Sequence, residues 1–138
     1  MKFIGTKLKM TQIWKKDRVV PVSVLKMEGD QFDGLEENKK VKVSGITKGR
    51  GFAGVMKRHG FHGGPSTHGQ KNRQRAPGSI GSTAPQRVTP GRKMAGRMGG
   101  VRHSVKNLLV VDFNKDSKEL FLRGAVPGNR KGKVEIHI

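Results

Sequence analysis

Residues Asn107–Leu122 read NLLVVDFNKDSKELFL. Two apolar runs, Asn107–Phe113 and Glu119–Leu122, flank the polar stretch Asn114–Lys118. That is the pattern of two antiparallel strands joined by a hairpin turn. Working outward, Lys133–Ile138 (KVEIHI) alternates, with Val134, Ile136 and Ile138 on one face. Lys40–Ile46 (KVKVSGI) sets Lys42 and Ser44 against Val41, Val43 and a glycine, a strand with one wet face. Arg18–Leu25 (RVVPVSVL) is rich in β-branched residues, with Pro21 tolerable at an edge or bulge. Met1–Ile4 is extended in character. No capped apolar stripe of helical period runs beyond a turn or two; Lys7–Trp14 and Met94–Met98 are the two weak helix candidates. Trp14 reads as a core or barrel-rim residue rather than a ligand platform. Six short strands with glycine-rich turns predict a mainly β fold, a small antiparallel β-barrel. The strands lie in residues 1–46 and 107–138, a discontinuous domain. Residues 47–106 hold too little apolar surface for a second core and form a long basic, glycine-rich extended loop.

The chain has 138 residues, 29 Lys or Arg against 10 Asp or Glu, and a formal charge of +19. Such a chain repels itself and needs a polyanionic partner. A hydrophobic content of 33% allows one small core only. Without cysteine there is no disulfide, thiolate chemistry or Cys-based zinc site. No apolar run reaches the roughly 20 residues of a membrane-spanning helix, and the opening lacks the apolar stretch of a secretory signal, so no membrane role is expected.

The charge is concentrated. Thr47–Lys106 carries 13 Lys or Arg and no acid, and none occurs between Glu37 and Asp112. Internal salt bridges cannot neutralise this stretch, so its counter-charge comes from outside, as a phosphate backbone. Glycine lets the backbone approach a ribose-phosphate chain, while Arg supplies forked donors and can stack on bases. The candidate RNA-binding residues are Lys48, Arg50, Lys57, Arg58, His59, His62, His68, Lys71, Arg73, Arg75, Arg87, Arg92, Lys93, Arg97 and Arg102. Aromatics are few here, which favours shape-matched insertion into folded RNA over a base-stacking platform. A disordered basic tether is the plainer reading. Against it, the composition is not repetitive and single apolar residues such as Phe52, Phe61 and Ile80 recur as docking anchors would.

Enzyme-like signals fail on context. Gly49–Gly54 matches G-x-G-x-x-G, yet no acid follows until Asp112, where a dinucleotide site needs one about 20 residues on. His59, His62 and His68 sit among cations without carboxylates, so no metal is expected. Nothing fixes two of these histidines and Lys57 into a ribonuclease geometry. No enzyme activity, cofactor or small-molecule substrate is expected.

The strings GFAGVMKRHGFHGGPSTHG, RAPGSIG and GRKMAGRMGG, with the opening MKFIGTKLKMTQIW and the ending LRGAVPGNRKGKVEIHI, resemble the universal large-subunit ribosomal protein L3 family in its bacterial or organellar form. The resemblance covers Met1–Thr11 and Val41–Ile138. It implies a translation-protein-type barrel on the surface of large-subunit rRNA, and a loop reaching toward the peptidyl transferase centre. It also implies a role in early subunit assembly beside neighbouring ribosomal proteins, on cytoplasmic or organellar ribosomes. Lys57, Arg58, His59, His62 and His68 fall in the family's basic motif. Arg75–Gly81 and Arg92–Gly100 fall on the inward-reaching loop. Typical members carry a long section where Lys26–Lys40 stands here, and Ser82 replaces a glutamine that many bacterial members methylate. The rival from another class is a free-standing basic RNA chaperone or nucleoid-type binder.

Overall fold

The computed structural model describes residues 2–29 and 34–138. Met1 of the expected first strand and four residues of the Lys26–Lys40 connection lie outside the described residues. Two compact units are present: Met1–Lys48 with Gly100–Ile138, and Gly49–Gly99.

The first unit is a closed antiparallel barrel of six strands, in the order β1 (Lys2–Lys15), β2 (Arg18–Met27), β7 (Glu119–Arg123), β6 (Arg102–Asn114), β3 (Lys40–Ile46) and β8 (Lys133–His137). Closure leaves the barrel no free edge at the β1–β8 seam, where Lys2–Thr6 pair with Lys133–His137. The alternation read from the sequence faces inward as expected. Val41 and Val43 of β3, Leu120 and Leu122 of β7, and Val134 and Ile136 of β8 are buried. They meet Phe3, Leu25, Met27 and Val110 in one core, with Leu35 and Val126 from the connections. Two serines are also fully enclosed, and each is satisfied. Ser23 Oγ donates to the Gly124 carbonyl at 2.6 Å, and the Ser44 and Ser104 hydroxyls pair at 2.7 Å. The outer face of β3 is therefore less wet than its pattern predicts.

The β6–β7 turn is closed by Asn114, whose Oδ1 accepts from the Asp116 and Ser117 amides at 2.9 and 3.2 Å. Pro21 stands opposite Gln12, one residue beyond the last β2–β7 pair, Val22 with Arg123, so its missing N–H costs the barrel no ladder bond.

Two readings are corrected and one is narrowed. Lys7–Trp14 is strand, not helix: β1 runs unbroken to Lys15 because residues 9–15 pair with Arg18–Val24. Met94–Met98 contains the two-residue strand β5 (Gly96–Arg97), paired with β4 (Phe52–Ala53). Of the two places expected for Trp14, core or barrel rim, the core is excluded, since it is 70% exposed near the β1–β2 turn. In addition, β6 begins at Arg102, five residues before the apolar run that announces it. Val41 pairs with Leu108 and Val43 with Val105, so Lys106 and Asn107 together oppose Lys42. Asn107 takes the left-handed conformation (φ 59°) that makes this bulge.

On the outer face Glu135 is held by Lys2 at 3.3 Å, by Arg102, and by His137 at 3.6 Å. Burial pushes its carboxyl pKa up, but the Lys2 hydrogen bond and the Arg102 and Lys2 charges outweigh this and hold it below the ordinary glutamate value. A depressed folded-state pKa contributes stability above the unfolded value and loses it as pH falls through the folded one. Glu135→Gln should therefore lower the urea midpoint near neutral pH, with the gap to the parent closing on the acid side. A gap independent of pH would show that the ion cluster contributes nothing.

Candidate nucleic-acid interface

The unit Gly49–Gly99 contains ten Lys or Arg and no Asp or Glu. It opens on a ladder: the Arg50 amide donates to the Met98 carbonyl and the Met98 amide to the Gly51 carbonyl, each at 2.9 Å. Phe52 then pairs with Arg97 and Ala53 with Gly96. Helix α1 (Val55–His59) follows. It is short because Gly60, left-handed at φ 73°, ends it by donating to the Met56 carbonyl. Lys57, Arg58 and His59 occupy its last turn, where cations suit the negative end of the helix dipole. Two of them are spent on architecture. Arg58 Nη1 donates to the Met94 carbonyl at 2.7 Å, and His59 Nε2 donates to the same oxygen at 3.0 Å.

A second knot lies at Phe61–Gly78. The Gly64 amide sits 3.1 Å from the Arg73 and Gln74 carbonyls, and Gln74 Nε2 donates to Ser66 Oγ at 2.8 Å. A Cβ on Gly64 would lie 2.7 Å from the Arg73 carbonyl oxygen, and one on Gly63 would collide with that of Gln74. These two glycines are required by close backbone approach. His62, Lys71, Arg73 and Arg75 project from this knot, and His68 from its Thr67–Gln70 turn, all exposed.

Every residue from Pro77 to Ala95 is exposed and belongs to no helix or strand. Arg87, Arg92 and Lys93 lie here. Arg92 donates to the Ser79 carbonyl, and its amide to that of Thr89 at 3.2 Å. Among the described residues of this unit only Ala53 and Val55 are buried, so its own apolar burial is slight. It presents charge without neutralising it.

Apart from half-buried His59, all the residues expected to bind RNA are exposed. They are distributed over several elements. Arg50 and Arg97 lie on the ladder, Lys57 and Arg58 on α1, and the others along the knot and loop. Lys48 and Arg102 belong to the barrel unit, and Arg102 is engaged with Glu135. There too, Lys7 Nζ donates to the Val126 and Gly128 carbonyls at 2.9 and 3.2 Å. Burial, then the nearby Lys48 charge, lowers its pKa. Among the described residues no three His, Asp or Glu side chains gather as a metal site would need. Among the described residues no helix is long and apolar enough to cross a membrane.

Sequence reasoning did not single out Lys16, Arg18 and Arg123, which stand exposed on the barrel unit. The available signal was the cation-rich turn Lys15-Lys16-Asp17-Arg18 between two strands.

Residues 22–123 match the model of a family described as ribosomal protein L3. A large ribosomal subunit protein uL3 from Herpetosiphon aurantiacus is 52% identical over 105 residues, covering 75% of this chain and 50% of that protein. The protein of the same name from Chlorobaculum tepidum is 51% identical over the same length, with the same coverage. One from Dehalococcoides mccartyi is 44% identical over 123 residues, 87% of this chain and 58% of its own. The chain spans about half the length of the curated relatives it matches.

Proposed function

The chain belongs to the ribosomal protein L3 family, and from that premise we propose that it is a structural constituent of the large ribosomal subunit that binds large-subunit rRNA. The barrel sets orientation on the RNA surface. The extension, which the structure delimits as Gly49–Gly99, carries its cations into the RNA and neutralises phosphates where helices crowd, toward the peptidyl transferase centre. In this role it supports early subunit assembly, has neighbouring ribosomal proteins as further partners, resides on ribosomes and performs no catalysis. The observation that carries this reading is an exposed unit with ten cations, no acid and almost no core. Such a segment is stable in company with a polyanion, because its self-repulsion and unburied backbone find compensation there.

The test is binding to folded large-subunit rRNA across a salt series, with random-sequence RNA and duplex DNA as competitors. Counterion release predicts a loss of about 10³-fold or more between 50 and 200 mM salt if roughly six or more phosphates are contacted. That loss alone does not distinguish a ribosomal protein from a basic chaperone. Selectivity for the folded rRNA does, as does retention on large subunits through a high-salt wash. Equal affinity for all three nucleic acids would favour the chaperone and overturn the assignment.

A further inference from the structure

The knot Phe61–Gly78 borders a hollow of about 630 Å³ to which exposed charge alone gives no task. Its lining includes Phe61, His62, Pro65, Arg73, Ala76 and Pro77. Apolar surface is thus gathered at one place in a unit with almost no core. The volume lies within the roughly 300–1,000 Å³ of small-ligand sites, which likewise combine apolar walls with a few polar groups. The walls are fixed. The Gly64 amide meets the Arg73 and Gln74 carbonyls, and the Ala76 amide donates to the Arg73 carbonyl at 3.2 Å. Gln70, its amide turned so that the oxygen meets donors, accepts from the Arg73 and Gln74 amides at 2.6 and 2.9 Å. Phe61 lies against the His59 ring, centroids 6.0 Å apart, and His59 is itself held by the Met94 carbonyl. The unit supplies no acid for Arg73, and among the described residues no ion pair engages it.

We propose that this hollow receives one unpaired base of the RNA, held against Phe61 and His62, while Arg73 takes an adjoining phosphate. The inference rests on the rRNA-binding reading above and adds to it a base-recognition site within the extension. A base is a flat body with polar edges, and the unpaired bases of folded RNA are taken up on aromatic rings and guanidinium planes. Phe61, His62 and Arg73 are residues of those types around one concavity. A phosphate linked to the base accounts for an uncompensated cation in an otherwise apolar lining. A protein partner fits less well. The cores of protein interfaces are poor in charge, whereas this unit carries ten cations and no acid.

Ultraviolet irradiation of the full chain bound to folded large-subunit rRNA, then nuclease and trypsin digestion, should leave a nucleotide adduct on Phe61 or His62, within the peptide His59–Lys71. Ala76→Phe puts a ring into the hollow and removes no polar group from it. It should weaken binding to folded rRNA about tenfold, as the loss of one stacked base would, with an unchanged salt slope. Its affinity for duplex DNA, which offers no unpaired base, should match that of the parent. Arg73→Ala should instead flatten the slope by about 1, and Arg73→Lys should restore it. Unchanged rRNA affinity in Ala76→Phe overturns the base site. Equal weakening toward rRNA and duplex DNA overturns it too, because that marks general damage to the extension. Normal binding to free rRNA with defective incorporation into subunits would put a neighbouring protein in the hollow instead. Absence of any rRNA binding by the parent chain overturns the underlying functional reading as well.

Discussion

Leu120→Ala should leave the barrel of the free chain with little or no cooperative unfolding transition. Leu120 is fully enclosed, opposite Leu25 on β2 and Phe113 on β6, so it ties three strands into the core. Truncating a buried leucine costs about 2–5 kcal/mol, because transfer free energy is lost and the cavity collapses only in part. A disulfide-free core of this size supplies only about 3–5 kcal/mol in the first place. The two magnitudes are comparable, which is what makes the expected effect large. Urea unfolding followed by far-ultraviolet circular dichroism would measure it. Added rRNA should restore a transition, since a ligand of the folded state stabilises it by mass action. A midpoint near that of the parent would show that the barrel draws its stability from somewhere other than this core.

The barrel was legible where one face of a strand is dry and the other wet. Val134 and Ile136 alternating with Lys133 and Glu135, or Leu120 and Leu122 around Phe121, need no tertiary knowledge. Legibility failed where pairing rather than patterning makes the strand. Residues 9–15 of β1 show no dry face because they reach past the β8 seam and hold only β2. The reading of β6 stopped at Asn107 because that residue is the bulge. The register of apolar residues shifts across it, so Arg102–Val105 do not continue the period that follows. The β4–β5 ladder joins residues more than 40 apart and two residues long, and no local pattern encodes such a pair.

The candidate interface was legible as composition and not as geometry. An acid-free run says that the counter-charge is external, whatever the backbone does. It does not say that Arg58 and His59 both spend a donor on the Met94 carbonyl, or that Arg102 is paired with Glu135 on the barrel. Those residues share their hydrogen-bond donors with architecture. The core was one of the two places expected for Trp14, because an aromatic in a small β-rich chain is ordinarily needed inside. Here valine, leucine and isoleucine fill the interior, and the indole is left at the surface.

Replacing Arg92, Lys93 and Arg97 together by Ala should flatten the dependence of log K on log salt by about 2–3, since each phosphate contact contributes roughly 0.7–0.9 to that slope. The same arithmetic lowers affinity for folded large-subunit rRNA by roughly 10–100-fold at physiological salt. Arg92 and Lys93 lie in the fully exposed Pro77–Ala95 stretch, and Arg97 on the ladder strand across from Phe52. None belongs to the barrel unit, so its urea midpoint should not move. Arg92→Lys with Arg97→Lys is the informative control. It keeps the charge and hence the slope, while removing the planar forks that hold two phosphate oxygens or stack on a base. A loss of affinity in this control at constant slope would assign these arginines to oriented contacts. A full return of affinity would assign them to charge alone. In cells the Ala variant should accumulate incomplete large subunits, because a loop that neutralises crowded phosphates is needed while the RNA is packing. An unchanged slope with all three cations gone would mean that no phosphate lies along this loop. The acid-free sequence would then have no physical explanation in RNA binding.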